Sequence, residues 1–268
     1  PRNLTSVRLM TQLGMDNGLT IGACLDGTGI HEQELANPTA LIAAAQELRL
    51  VRNLITHLGD IPGLGIEAGK RYHFTAFGAL GLALVCSPSM RSALDICMRY
   101  FQLTFAFTRF RVEEHGLETH ITLDDSDLDD EVRMFIVERD SSALVTVQRD
   151  LFASRPALQE IQFAYAAPAN VDVYQTFYGI SPVFGAASNQ ARLLTAALLE
   201  PLPQANELAL IAAEAQCRAL LDRYQSRQGV AAEVRDLVVR HIAHPPDMDM
   251  IAEALCVTPR TLRRRLLD

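Results

Sequence analysis

DMDMIAEALCVTPRTLRRRLLD, running from Asp247 to Asp268, reads as two short helices joined by a tight turn. Asp247 is placed to cap the first, Met248 to Leu255, by accepting a backbone N–H with its carboxylate. Ile251 and Leu255 form the buried side of that helix, and Ala252 is small enough for a close helix approach. Cys256-Val257 makes the turn, Thr258 caps the second helix, and Pro259 takes the first helical position, where its missing N–H costs nothing. Leu262 and Leu266 lie four apart and are expected to face Ile251 and Leu255. That rotation leaves Arg260, Arg263 and Arg264 outward, as a recognition helix would present them to base edges in a major groove. Thr258 and Thr261, beside the helix N-terminus, suit phosphate contacts. Three arginines alone would more readily be a solvated charge run at a helix C-terminus. The complete order of cap, short helix, turn, cap and basic helix reverses that balance.

Upstream of this segment, Val230, Val234, Leu237, Val238 and Ile242 recur on one helical face. His244-Pro245-Pro246 ends that helix, because proline cannot continue it. The preceding polar run Gln225 to Gly229 and the helical stretch Asn206 to Tyr224 connect this unit to a larger body ending near Pro201 and Pro203.

The chain has 268 residues, of which 49 % are hydrophobic and 21 % charged, a balance that supports a packed globular protein and excludes general disorder. No stretch reaches the roughly 18 uncharged apolar residues of a membrane span. The start, PRNLTSVRLM, has no signal-peptide core, and its opening proline suggests a trimmed chain. The net charge of −8 argues against a nucleic-acid binder, but its distribution does not. Six acids crowd Asp124 to Glu131, whereas Thr258 to Asp268 carries four arginines and one acid. A basic tip on an acidic body fits a protein whose end touches phosphates. The five cysteines, Cys24, Cys86, Cys97, Cys217 and Cys256, form no CxxC and read as small buried hydrophobes in a reducing cytoplasm.

Within the body, the spacing of Leu41, Ile42, Ala45, Leu48, Val51, Leu54 and Ile55 predicts a helix over 35–58, with Pro38 near its start and Gly59 past its end. Ser87-Pro88-Ser89 opens another that runs to about Phe101. Alternation over Phe105 to Phe110 and Glu118 to Asp124, around Gly116, predicts a β-hairpin. Helical spacing returns from Glu131 to Leu151, and strands are expected at Ile161 to Tyr165 and around Arg192 to Leu194. The fold class is therefore α+β, a mixed domain of helices and mainly antiparallel sheet followed by an all-α helix-turn-helix unit.

Enzyme signatures are weak. Gly63-Leu-Gly65-Ile-Glu-Ala68 has the letters of a dinucleotide fingerprint, but a helical segment precedes it where a strand is needed. The seven histidines show no metal spacing, and no G-x-S-x-G occurs. The acidic run lacks the ligand spacing of a calcium loop. No cofactor or metal is expected. The aromatics Tyr100, Phe101, Phe105, Phe107 and Phe110 suit either a core or the wall of a small-molecule site. Arg71, Arg91, Arg99 and Arg109 are each able to anchor a carboxylate, and His73 in KRYHF to touch a ligand.

From Val234 to Asp268 the chain resembles the first helix-turn-helix of AraC/XylS-type transcriptional regulators, on the IAEAL core and the TPRTLRRRL helix. Cys256 stands where that family usually has glycine. FGALGLALVCSPSMRSALDICMRYF (Phe77 to Phe101), YGISPVF (Tyr178 to Phe184) and LLEPLP (Leu198 to Pro203) resemble the branch with an arabinose-binding-like effector domain. The resemblance implies a regulatory domain over 1–203, a helical linker over 204–229 and the first of two helix-turn-helix units over 230–268, the second lying beyond the chain. It also implies a small-molecule effector, homodimers and operator DNA, and it leaves RNA polymerase open as a further partner. The candidate DNA contacts are Thr258, Arg260, Thr261, Arg263 and Arg264. The candidate effector contacts are Arg71, His73, Phe105 and Phe107. The competing readings are a sensor whose C-terminal helices bind protein, and an enzyme using the N-terminal domain.

Overall fold

A computed structural model describes residues 2–37, 39–152, 158–226, 234, 237–238, 246–255 and 257–267. The chain opens with strand Arg2–Asn3 (β1) and helices Thr5–Asp16 (α1) and Ile21–Leu25 (α2), then strand Leu41–Ile42 (β2) and helix Ala44–Leu58 (α3). Helices Leu64–Gly69 (α4), Ala79–Val85 (α5) and Met90–Arg99 (α6) lead to the hairpin Arg109–His115 (β3) and Glu118–Asp124 (β4). A long helix, Asp130–Leu151 (α7), is followed by Leu158–Phe163 (β5), Asp172–Tyr178 (α8), Val183–Phe184 (β6), Asn189–Leu194 (β7) and Thr195–Leu198 (α9). Helix Glu207–Ser226 (α10) then precedes Met248–Ala254 (α11) and Pro259–Leu267 (α12). Residues 2–217 form one compact unit and 218–268 another.

The five-stranded sheet has the order β3-β4-β7-β5-β6 and is antiparallel except between β5 and β6. Alternation decides its faces: on β4, Thr119, Ile121 and Leu123 are buried while their neighbours are half-exposed. β3 is an edge strand, and its exposed Arg109, Arg111, Glu113 and Glu114 discourage pairing with another chain. Gly116, at φ +66°, supplies the backbone conformation that the hairpin turn requires. Arg192 on β7 donates to Glu118 on β4 and Glu160 on β5, each at 2.9 Å, and so bridges three strands.

α7 organises this unit because it is buried on nearly every side. Val132, Phe135 and Ile136 join α1 and α3 in one apolar cluster. Val137 and Val145 join β5 and α8 in another. α4 crosses α7 with glycine at the contact: a Cβ on Gly65 would meet the Phe135 carbonyl, and one on Gly69 would overlap Ser142 Oγ. The letters of the dinucleotide motif thus serve helix packing.

Several boundaries differ from those the pattern suggests. The helix expected from Leu35 starts at Ala44, because Leu41–Ile42 pairs with Arg2–Asn3 and Gln46 Oε1 accepts the Ala43 N–H at 3.0 Å to close the helix start. Pro38 lies outside the described residues. β3 begins at Arg109, so Phe105 and Phe107 sit before the strand. The expected helix after Ser87-Pro88-Ser89 is found, capped by Ser89 Oγ, which accepts the Ser92 N–H. α1, α2, α4, α5 and α8 were not signalled by periodicity.

Candidate nucleic-acid interface and effector cavity

In the C-terminal unit the caps form as residue type demands. Asp247 Oδ1 accepts the Met250 N–H at 2.9 Å at the start of α11. Thr258 Oγ1 accepts the Thr261 N–H at 3.2 Å at the start of α12. Between them, the Val257 N–H donates to the Ala252 carbonyl at 2.9 Å and turns the chain. Ile251, Ala252 and Leu262 are buried, Leu262 completely, and Leu266, Leu255, Val257 and Met248 pack around them with Val234, Leu237 and Val238. The two leucines four apart therefore face inward. Arg260, Arg263, Arg264 and Thr258 are exposed and Thr261 is half-buried. Such a helix presents three cations and a hydroxyl-bearing N-terminus to one external surface, the chemistry that binds phosphates and base edges. Val230, Ile242, His244, Pro245 and Cys256 lie outside the described residues.

In the N-terminal unit the interior holds an ion network. Arg139, 1 % exposed, donates through Nε and Nη2 to Asp140 Oδ1 at 3.0 and 2.7 Å. Its Nη1 reaches Glu47 Oε1 at 3.3 Å and Met10 Sδ at 3.9 Å, and its Nη2 also reaches the Phe105 carbonyl at 2.8 Å. Glu47, completely buried, accepts from Ser6 Oγ at 2.5 Å and from Arg2 Nη1 at 3.2 Å. Asp140 Oδ2 accepts the Phe107 and Thr108 N–H groups and the Thr108 hydroxyl, each at 2.9 Å. Two cations meet two anions, and every N–H of the Arg139 guanidinium has an acceptor. Burial alone would lower the Arg139 pKa; the Asp140 carboxylate, with Tyr72 and Glu47, reverses this and raises it.

A second buried group follows immediately. Glu138 accepts the Gly65 N–H at 3.0 Å and the Tyr174 hydroxyl. Burial pushes its carboxyl up to about 7, against the lowering effect of those two hydrogen bonds.

Arg139 and Asp140 also border a cavity of about 60 Å³ walled by aromatic rings, among them Tyr72, Phe77, Phe105 and Phe110. Of the four expected effector contacts, Phe105 lines this cavity. Phe107 instead lies under the Arg2 guanidinium, 3.9 Å from its ring centre. Arg71 pairs with Asp16 at 2.7 Å, and His73 Nδ1 lies 3.0 Å from Asp150. The other arginines considered as carboxylate anchors are also paired: Arg91 with Glu114, Arg99 with Glu214 and Arg109 with Asp127. Sequence reasoning missed Glu47, Glu138, Arg139 and Asp140. The available signal was the charged run Glu138-Arg139-Asp140 within an otherwise apolar helical stretch. Among the described residues no group of His, Cys, Asp and Glu side chains is arranged to hold a metal, and no helix is long and apolar enough to cross a membrane.

Known proteins place this geometry. The family model for the arabinose-binding domain of AraC transcription regulator, N-terminal, matches residues 18–202. An uncharacterised HTH-type transcriptional regulator of Mycobacterium tuberculosis is 32 % identical over 267 residues, covering 98 % of this chain and 78 % of the relative. The ornithine utilization regulator of Pseudomonas aeruginosa is 24 % identical over 260 residues, covering 96 % and 76 %. The crystal structure of transcriptional regulator CdpR from Pseudomonas aeruginosa shares the fold, with a TM-score of 0.62 at 20 % identity, over 98 % of this chain and 79 % of that one. The chain belongs to the AraC family of HTH-type transcription regulators, in the branch with an arabinose-binding N-terminal domain.

Proposed function

We propose that this regulator senses a small molecule through its N-terminal domain and binds operator DNA through α12, with Thr258 and Thr261 on phosphates and Arg260, Arg263 and Arg264 on phosphates and base edges. The organisation is a regulatory domain over 1–203, a linker over 204–229 and a helix-turn-helix unit over 230–268, working as a cytoplasmic homodimer. The observation that carries this reading is the rotation of α12: Leu262 is buried and the three arginines are in water. Effector control follows the logic of population shift, since a ligand changes DNA affinity only if it binds one conformation more tightly than another.

Selection from randomised duplexes gives the preferred operator, and Arg264→Ala then tests the contact. A lost bidentate guanine contact removes about 1–3 kcal/mol, roughly five- to 150-fold in affinity, and relaxes preference at one base pair. Unchanged affinity and preference would instead make the C-terminal unit a protein-interaction module.

A further inference from the structure

The aromatic cavity of about 60 Å³ offers room in the N-terminal unit without offering charge. Tyr72, Phe77 and Phe105 stand in mutual contact on its wall, with ring centres 5.5 to 6.4 Å apart. Phe101 and Phe110 form a further pair at 5.1 Å. The surface presented to a guest is almost wholly carbon. The polar side chains that border it give their groups to other partners. Arg139 spends its donors on Asp140, Glu47, Met10 and the Phe105 carbonyl. Asp140 Oδ2 holds the Phe107 and Thr108 N–H groups and the Thr108 hydroxyl. The Tyr72 hydroxyl donates to Ser6 Oγ at 2.6 Å, because Ser6 Oγ itself donates to Glu47. Thr104 Oγ1 donates to the Phe101 carbonyl at 2.7 Å and accepts the Ala106 N–H at 3.4 Å. The Phe105 and Ala106 carbonyls accept from Arg2 at 2.9 and 2.7 Å. Burial pushes the Cys97 thiol up to about 11, so it stays neutral.

A charged head placed here would lose its hydration and could recover it only by breaking one of these ion pairs or hydrogen bonds. An apolar ring loses no hydrogen bond on entry and meets aromatic faces and edges that suit its own quadrupole. One water needs about 10–15 Å³ of such space, so the room is roughly five waters' worth, the bulk of a single six-membered ring. We propose that the cavity binds an uncharged single-ring aromatic molecule, seated against Phe77, Phe105 and Phe110. The regulatory meaning of this site rests on the effector-sensing reading, whereas binding itself is separate from DNA recognition. The position suits regulation. Arg99 and Tyr100 stand between the cavity residues Cys97 and Phe101. Arg99 Nη1 donates to Glu214 Oε1 at 2.7 Å, and the Tyr100 hydroxyl reaches the same oxygen at 3.5 Å. A guest that settles the 97–101 segment therefore acts on the residues that hold the first half of α10.

The test is calorimetric titration of the 268-residue chain at pH 7, without DNA, using near-isosteric pairs: ethylbenzene with benzylamine, and nitrobenzene with benzoate. Ethylbenzene and nitrobenzene are expected to saturate one site, and each charged counterpart to bind at least roughly a hundredfold more weakly. Ethylcyclohexane should bind about two- to tenfold more weakly than ethylbenzene, because it lacks the ring quadrupole. Ala143→Leu, which fills the cavity from α7, should abolish saturable binding. Ala106→Val, which narrows it from the 104–106 segment, serves the same purpose should the first variant melt below the parent. Binding of a charged isostere as tight as its neutral counterpart overturns the proposal. So does the absence of saturable binding by the neutral compounds, or full ethylbenzene affinity in both filled variants. Any of these failures leaves operator binding by α12 standing. Saturable binding that leaves operator affinity unchanged keeps the ligand class and removes the effector role from this cavity.

Discussion

In the N-terminal unit Arg2, Glu47, Arg139 and Asp140 bring four charges inward, whereas the C-terminal unit buries Ile251, Ala252 and Leu262 and leaves Arg260, Arg263 and Arg264 in water. Ions in a protein interior are tolerated only when partners replace the lost hydration. Arg139 meets that condition by spending every donor on protein acceptors. It fixes α7 against α3 and the 105–108 segment, and it has nothing left for a ligand. Among the described residues, Arg260, Arg263 and Arg264 are held by no such network, and their helix is oriented by apolar packing and one threonine cap. Where the charges are buried they shape the fold; where they are exposed they are free to meet phosphates.

The largest test of this contrast is Arg139→Met. It strands Asp140 without its cation and leaves Glu47 with Arg2 alone, and a stability loss of about 3–5 kcal/mol is expected in denaturant titration. A loss below about 1 kcal/mol would mean the network does not hold the unit together. Next comes Glu138→Gln. The Glu138 carboxyl titrates near 7 in the folded chain and near its usual 4.5 when unfolded. Between those values the folded state keeps a proton that the unfolded state has lost, so stability falls as pH rises through the window and levels off above it. The full span is roughly 3 kcal/mol, and Gln should flatten that part of the pH profile in thermal unfolding. An unaltered profile would assign the slope to other groups. The smallest effect belongs to the C-terminal unit: Thr258→Ala should cost about 1 kcal/mol through the lost cap, and Thr258→Asp should restore most of it. No change in either variant would show that packing alone sets the start of α12.

How legible each region was in the sequence follows the same division. α11 and α12 are local devices: cap, spacing and turn lie within 22 residues, and the inward turn of Leu262 and Leu266 could be read directly. β4 and α7 were legible for the same reason, since alternation and helical spacing persist over several residues. The ion network was not. Arg139 and Glu47 are 92 positions apart, and Glu138-Arg139-Asp140 looks like a wetted helix face until α3, α4 and the 105–108 segment are folded around it. Short helices such as α4 and α8, of six and seven residues, also escape periodicity, because tertiary contacts and not length sustain them. The start of α3 was misplaced because a two-residue strand pair took Leu41 and Ile42 out of a pattern that suited a helix.

The glycines where α4 crosses α7 carry a mechanical consequence. With Gly65 and Gly69 against the Phe135 carbonyl and Ser142, and the Gly65 N–H tied to the Glu138 carboxylate, α4 places no side chain of its own at these two contacts and lays its backbone directly on α7. Contact this close resists slipping and rolling, so the pair should behave as one beam. Any displacement that a bound molecule imposes on this unit must be taken up by the surfaces around that beam.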